Sequence, residues 1–310
     1  MFVNTLLTLV GPTAVGKTET SLLLARALNA EIISADSRQV YRGMDIGTAK
    51  IQPHEMAGVP HHLLDIRQPH ETMTLGEYKV LAETAIQSIM ARQRLPMLVG
   101  GTGQYVRAVI EGWQIPKVPP QPQLRARLQA LANDGGKEAV FEQLKRLDPA
   151  SAESIDYRNL RRVIRAIEVS TVAGRPFSEL QTKRPPSWRI VQMGLTRPRA
   201  ALYARADARI DAMFAAGWPE EVQTLLARGY TPELSSFGSL GYREVAAYLA
   251  GEYDQEEAKT RIRRATRNFI RRQYNWFRLS NPAIHWFDLE ETHPRQILDW
   301  LSQYLKDVSD

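Results

Sequence analysis

Short apolar runs alternate with longer stretches of helical periodicity over the first third of the chain. The runs predict β-strands at Leu6–Val10, Glu31–Ser34 and Pro96–Val99, and the helical spacing predicts helices at Thr18–Leu28 and Leu75–Gln93. Strands that alternate with helices in this way are typical of a parallel sheet with helical crossovers.

Two proline-rich segments, Gly112–Pro120 and Lys183–Pro186, interrupt this alternation. Between them, from Gln123 to about Glu179, apolar residues recur at helical spacing, which predicts an all-helical insertion between two strands of the sheet. The segments therefore predict two domains: a sheet-containing core at residues 1–115 and 186–310, and a helical insertion domain at residues 116–185.

The pattern after the second proline-rich segment predicts a return to the sheet, with strands at Arg189–Leu195 and Ile284–Phe287. The intervening and following residues have helical spacing. The predicted helices are Ala200–Ala216, Pro219–Arg228, Tyr242–Ala250, Gln255–Leu279 and Pro294–Lys306.

The first apolar run leads directly into the pattern G-x-x-x-x-G-K-T, which is the phosphate-binding P-loop. Its glycines let consecutive backbone N–H groups point at one anion, and the following helix adds the positive end of its dipole. We therefore predict a P-loop NTPase-like α/β fold, a di- or triphosphate ligand, and Mg²⁺ bound at the Thr18 hydroxyl. The predicted phosphate-binding residues are Gly11, Pro12, Thr13, Ala14, Val15, Gly16, Lys17 and Thr18.

Composition narrows the class of protein. Of the 310 residues, 44% are hydrophobic, and no apolar run approaches the length of a membrane-spanning helix, so we expect a cytoplasmic protein that does not bind membranes. The chain has no cysteine, which excludes disulfides, thiolate nucleophiles and cysteine-bound zinc. The net charge of +6 is compatible with a polyanionic partner.

Basic residues are concentrated in the predicted helix Gln255–Leu279. From Ala258 to Ser280 there is no acid, and aromatic residues lie between the cations. A solvated surface would mix charges of both signs, so the pattern favours contacts with a phosphate backbone, while an ordinary solvated face stays open as the alternative. The cations are Lys259, Arg261, Arg263, Arg264, Arg267, Arg271, Arg272 and Arg278; a second basic patch in the insertion contains Arg158, Asn159, Arg161, Arg162 and Arg165.

Two loops at the carboxyl ends of predicted strands carry further chemistry. Asp36 follows the second strand, where a carboxylate can accept a proton from a nucleophile or bind Mg²⁺ through water; a turn aspartate is the alternative. After the third strand come glycines and Thr102, without the acid that an ATPase usually has there.

The chain closely resembles the bacterial tRNA dimethylallyltransferases, also called tRNA isopentenyltransferases. The resemblance rests on blocks that span most of the chain in the expected order. These are GPTAVGKT at 11–18, SADSRQVYRGMDIGTAK at 34–50, PHHLLD at 60–65, GGTGQY at 100–105, RNLRRVIRAIEV at 158–169, LTR at 195–197, ARIDAMFAAG at 208–217 and GSLGYRE at 238–244.

The resemblance implies transfer of a dimethylallyl group from dimethylallyl diphosphate to N6 of the adenine on the 3′ side of the anticodon, in tRNAs that read codons starting with U. It implies a monomer, with the insertion packed over the anticodon stem-loop. Asp36, Thr102 and Arg209 would be catalytic, and Arg197 would join the P-loop in binding the pyrophosphate. The tRNA would contact Asp36, Ser37, Arg38, Gln39, Thr102, Gln123, Asn159, Leu160, Arg161, Arg162, Gly238, Gly241, Tyr242, Arg243, Arg271, Arg272 and Arg278.

Other interpretations remain open on the residues alone. A small-molecule kinase using ATP, or a prenyltransferase acting on free adenine nucleotides, would leave the basic helix unused, and a non-catalytic RNA-binding protein would leave Asp36 unused. His61 and His62 are not expected to bind a metal, because adjacent strand residues point to opposite faces. Four tryptophans are interpreted as packing residues or lids rather than base-stacking surfaces: Trp113, Trp188, Trp218 and Trp276. For Trp276 the base-stacking alternative stays open, because its neighbours are basic.

Overall fold

The computed structural model describes residues 4–307, so the outermost residues of the predicted core domain, 1–3 and 308–310, lie outside the described residues. The chain divides into two compact units. The first runs to Ile110 and resumes at Ser187, and the second is Glu111–Pro186.

The first unit contains a fully parallel sheet, with six strands among residues 4–307. The strands are β1 (Thr5–Val10), β2 (Ala30–Ser34), β3 (His61–His62), β4 (Leu95–Gly100), β5 (Arg189–Thr196) and β6 (His285–Asp288). Their order in the sheet is β3-β2-β4-β1-β5-β6. The five predicted strands are confirmed with small shifts of their ends, and the two-residue β3 is added at the edge next to β2.

The predicted helices of the first unit are also present, and α3 is an addition that the sequence did not predict. They are α1 (Lys17–Ala27), α2 (Leu75–Ala91), α3 (Gly103–Ile110), α8 (Arg199–Ala215), α9 (Trp218–Ala227), α10 (Tyr242–Leu249), α11 (Gln255–Trp276) and α12 (Pro294–Asp307), with short 3₁₀ helices at Pro53–Glu55 and Ser236–Gly238.

Strand β1 is buried at every position, as expected for a central strand covered by helices on both faces. Two separate apolar clusters pack on the sheet. The register sets Val10 of β1 beside Gly100 of β4, and Ser34 of β2 beside Val99. The loops that follow β1, β2 and β4 therefore meet at the carboxyl edge of the sheet, where parallel α/β proteins bind their ligands.

The second unit is all-helical, and the block predicted from Gln123 to Glu179 is four helices around their own core. The helices are α4 (Pro122–Leu147), α5 (Pro149–Ser154), α6 (Leu160–Ala173) and α7 (Phe177–Leu180). The long α4 is interrupted at Gly136, whose φ of 77° is not helical. The two proline-rich segments pair with each other, because the Gln114 N–H donates to Thr182 O and the Arg184 N–H donates to Gly112 O, both at 2.8 Å.

Candidate active site

A cavity of about 320 Å³ lies at the carboxyl edge of the sheet in the first unit. The loops after β1, β2 and β4 contribute to its wall, and so do α8, α11 and the segment before α10. The lining residues are Thr13, Asp36, Ser37, Arg38, Gly47, Thr48, Gly101, Thr102, Gly103, Gln104, Arg209, Ile210, Met213, Trp218, Gly238, Ser239, Leu240, Ile262, Thr266, Phe269, Arg272, Gln273 and Trp276.

The P-loop forms one end of the cavity. Gly11 has φ of +149°, and a Cβ there would lie 2.5 Å from Leu195 O, so only glycine lets the loop pass this close to β5. The half-buried Lys17 donates from Nζ to Gly11 O at 3.0 Å and to Pro12 O at 2.8 Å. Burial lowers the pKa of Lys17 to about 8, although the nearby Asp36 charge raises it and the Arg209 charge lowers it further. An anion bound in the loop would therefore stabilise the charged form of Lys17.

Arg209 of α8 also reaches the P-loop. Its Nη2 donates to the Thr13 hydroxyl, while its buried Nε has no hydrogen-bond partner among residues 4–307. Burial lowers the pKa of this guanidinium, and the charge of Asp36 raises it. A buried cation with a free N–H at a phosphate-binding loop is suited to binding an anion, because an unsatisfied buried donor is costly. Arg197 lies nearby and is already engaged, with Nε donating to Val15 O at 3.0 Å and an ion pair to Glu290.

Asp36, Ser37 and Thr102 come together where the loops after β2 and β4 meet. The Ser37 N–H donates to the Thr102 hydroxyl at 3.0 Å, and the Arg38 N–H donates to Asp36 Oδ1 at 2.8 Å. The second bond is the local turn that the alternative interpretation of Asp36 predicted. It occupies one carboxylate oxygen, and Oδ2 has no hydrogen bond within the described residues. Asp36 is thus a turn residue that retains a free oxygen beside the cavity.

Two positioning residues were missed from the sequence. Gln273 of α11 accepts at Oε1 from the Thr13 N–H at 2.9 Å and donates from Nε2 to Gly101 O at 3.1 Å, which ties the P-loop to the loop after β4. Glu221 of α9 accepts from the N–H groups of Asp45 and Ile46 at 2.8 and 2.7 Å, and so holds the loop that continues to Gly47 and Thr48 in the cavity wall. Neither residue belongs to a recognisable motif, and no local signal identifies it.

Several residues predicted to contact tRNA have structural roles instead. The side chain of Tyr242 is completely buried, with its hydroxyl donating to Glu221 at 2.6 Å, so a tRNA contact at this position would have to use the backbone. The Gln39 side-chain amide accepts from the Ser34 hydroxyl at the end of β2 and donates to the carbonyls of Thr48 and Ala49. Of the other predicted contacts, Arg38 and Gly238 line the cavity, and Gly241 caps the start of α10 with φ of 88°. The exposed Arg243 donates to Pro232 O.

In the second unit the predicted basic patch is smaller than its sequence indicated. Arg165 is paired with the buried Glu168, and Arg158 is paired with Asp156. Burial alone would raise the pKa of Glu168, but hydrogen bonds from Arg125, the Gln121 N–H and Arg165 lower it to about 2.

The remaining predicted contacts of the second unit lie around the start of α6 and α4. Arg161 and Arg162 are exposed in the first turn of α6, and Gln123 is exposed in the first turn of α4. The Asn159 side chain accepts from the Arg162 N–H and so caps α6, while Leu160 packs against the core of the unit. Arg161, Arg162 and Gln123 are therefore the members of this set whose side chains are available to a ligand.

The basic helix α11 divides into two parts. In the balanced segment, residues 257–267, the cations pair with acids: Arg263 with Asp211, Arg267 with Asp207, Arg261 with Glu257, and Lys259 with Glu256 and Asp211. In the cationic segment, residues 269–278, which comprises the end of α11 and the two residues after it, no ion pair to Arg271, Arg272 or Arg278 is formed by any residue that the structure describes. The predicted tRNA contacts Arg271, Arg272 and Arg278 therefore lie in the cationic segment, while in the balanced segment only Arg264 lacks an acid partner among the described residues.

Two classes of site are not found in the described residues. Among residues 4–307 no group of three or more His, Asp or Glu side chains is placed to bind a metal ion, and His62 instead contacts Glu31 at 2.6 Å. Within the same range no helix has the length and apolar character needed to cross a membrane.

Comparisons with known proteins point to one family of enzymes. The model of the family described as IPP transferase matches residues 39–280. A tRNA dimethylallyltransferase of Roseiflexus sp. (strain RS-1) is 53% identical over 273 residues, which is 88% of this chain and 90% of the relative.

Solved structures that resemble this chain are also transferases acting on tRNA. The tRNA isopentenylpyrophosphate transferase of Bacillus halodurans is 40% identical, with a TM-score of 0.73 over 99% of this chain and 98% of its own. A eukaryotic dimethylallyltransferase acting on tRNA is 25% identical, with a TM-score of 0.77 over 92% of this chain and 74% of its own.

Proposed function

The chain belongs to the IPP transferase family, and we propose that it transfers a dimethylallyl group from dimethylallyl diphosphate to N6 of the adenine on the 3′ side of the tRNA anticodon. The products are N6-isopentenyladenosine and diphosphate. The observation that carries the proposal is that a single cavity joins a P-loop, a buried arginine and a carboxylate–hydroxyl pair. The substrates proposed are tRNAs that read codons starting with U.

The diphosphate of the donor occupies the P-loop end in this proposal. Backbone N–H groups of residues 14–18, the Lys17 ammonium and the free Nε of Arg209 bind its oxygens, and Arg197 supports the loop through Val15. Mg²⁺ fits this end, because the Thr18 hydroxyl is exposed in the first turn of α1 and Mg²⁺ usually takes few protein ligands together with substrate phosphates. When bound, it would neutralise charge on the diphosphate.

The reaction forms a bond between N6 and the first carbon of the donor and breaks the bond between that carbon and the diphosphate oxygen. The adenine amine is a poor nucleophile, and Asp36 Oδ2 accepts its proton as the bond forms. Thr102 and Ser37 orient the loop that holds Asp36. The diphosphate departs with the electron pair, and Lys17 and Arg209 stabilise the charge that develops on it.

The tRNA is bound by the cationic segment and Arg38 of the first unit, and by Arg161, Arg162 and Gln123 of the second. A base that reacts on its edge must leave its stack, so the anticodon loop is recognised as a single strand. We propose that the protein is cytoplasmic and acts as a monomer, as its resemblance to the bacterial tRNA dimethylallyltransferases implies.

The proposal is tested by incubating the protein with an anticodon stem-loop, dimethylallyl diphosphate and Mg²⁺. Mass spectrometry of the digested RNA should show one isopentenyl group on the target adenine, with an equal amount of diphosphate released. Modification of free adenosine monophosphate at the same rate, or phosphate transfer from ATP with no RNA product, would contradict the proposal and favour one of the alternative enzymes.

The role of Asp36 is separable in the same assay. Asp36→Asn retains an oxygen for the turn bond to the Arg38 N–H but loses the basic oxygen. We expect the single-turnover rate to fall by roughly 10²–10⁴-fold with both substrates saturating, as is usual for loss of a general base. Asp299→Asn, which changes an exposed carboxylate of α12 that does not line the cavity, is the control. A rate close to that of the wild type would show that Asp36 is only a turn residue.

A further inference from the structure

Trp276 is the most exposed tryptophan that lines the cavity. Its relative exposure is 36%, while Trp218 in the same wall is 1% exposed and is wedged among core residues. Ligand pockets are lined mainly by apolar and aromatic side chains, so a partly open indole in a cavity wall is available to contact a ligand.

The indole is held in a fixed position next to the reacting groups. A Cβ on Gly103 would lie 2.2 Å from Cγ of Trp276, so the ring packs directly on the backbone of the residue after Thr102. The Arg107 guanidinium lies 6.0 Å from the ring centroid, at the outer limit of a cation–π contact. Thr102 in turn binds the Ser37 N–H, beside Asp36. The ring is thus positioned by the same loop that supports the proposed proton acceptor.

The helix also places the indole in line with groups that serve both substrates. Phe269, Arg272, Gln273 and Trp276 recur at helical spacing and all line the cavity. Gln273 contacts the P-loop, and Trp276 lies one turn further along, where α11 ends. An aromatic ring one turn from the phosphate-binding end is at a suitable place for the acceptor base.

We propose that Trp276 is the surface on which the extruded target adenine stacks, which replaces part of the stacking that the base loses when it leaves the anticodon loop. This inference rests on the proposed function and assigns a binding residue within it. Stacking on an aromatic side chain is independent of the edge of the base, so N6 stays available for Asp36 and the donor.

The test compares three substitutions of Trp276. Trp276→Phe retains an aromatic face, Trp276→Leu retains apolar volume without one, and Trp276→Ala removes both. We expect the KM for an anticodon stem-loop to rise about 10- to 100-fold in the Leu and Ala variants, to change little in the Phe variant, and to leave the KM for the donor unchanged. Leu279→Ala, an exposed apolar residue that does not line the cavity, is the matched control.

A second stem-loop, with an abasic sugar at the target position, identifies which base is stacked. Trp276→Ala should weaken equilibrium binding of the adenine stem-loop but not of the abasic one. Equal losses on both, or equal effects of Leu and Phe, would overturn the assignment of Trp276. If wild-type protein fails to modify the adenine stem-loop, the proposed function itself is wrong, so the two failures are distinguishable.

Discussion

The two segments of α11 read alike in the sequence and differ in the folded chain. Both are rich in arginine and free of acids over most of their length, but α8 sets Asp207 and Asp211 against the balanced segment and nothing comparable against the cationic segment. A series of basic residues therefore predicts contact with a polyanion only when the charges on the neighbouring helices are also known. Free positive charge is concentrated at residues 269–278, next to the cavity.

The largest effect is expected in the cationic segment. Replacing Arg271 and Arg272 with alanine removes two phosphate contacts, which should weaken tRNA binding roughly 10- to 50-fold at physiological salt and lower the slope of log K against log salt by about two. Dissociation constants at several salt concentrations measure both quantities. An unchanged slope would return these arginines to ordinary solvated surface.

A smaller effect of a different kind is expected in the balanced segment. Arg263→Ala with Arg267→Ala breaks the pairs to Asp211 and Asp207, so the free energy of unfolding should fall by about 0.5–2 kcal/mol. Binding of tRNA should stay within about threefold of the wild type, because these cations are already neutralised. Urea unfolding and the same binding assay check the pair of outcomes. A loss of tRNA affinity as large as that of the Arg271 and Arg272 variant would erase the distinction between the segments.

The smallest effect is expected from Asp207→Asn, which releases Arg267 without removing it. If the balanced segment lies away from the RNA, tRNA affinity should stay unchanged within about twofold. If that segment also faces the phosphates, the freed cation should strengthen binding and steepen the salt slope by about one. The second result would extend the RNA surface along the whole helix.

The parts of the site that were predictable from the sequence are those encoded by neighbouring residues. The P-loop needs only a strand, two glycines and a helix in succession, and the loops at Asp36 and Thr102 follow from strand ends in a parallel sheet. The two-residue β3 was treated as a strand only when metal binding by His61 and His62 was considered, because two residues carry no detectable alternation, and α3 was missed because glycines precede it.

The parts that could not be predicted depend on residues distant in the sequence. Gln273 meets the P-loop across 260 positions, and Glu221 binds a loop 176 positions before it. The acids that neutralise the balanced segment belong to another helix, so a charge pattern within α11 could not reveal them. Tyr242 likewise reads as an accessible residue at the start of a helix until its hydrogen bond to Glu221 of α9 is known.

The side-chain amide of Gln273 has a chemical polarity that restricts how this enzyme can vary. One end must accept from the Thr13 N–H and the other must donate to Gly101 O, and no other side chain of the same length offers both. Glutamate would set an oxygen against the Gly101 carbonyl, and methionine would leave both partners unsatisfied. A substitution of Gln273 therefore changes the P-loop and the loop after β4 together. A single change at this position cannot alter the binding of one substrate without also altering the binding of the other.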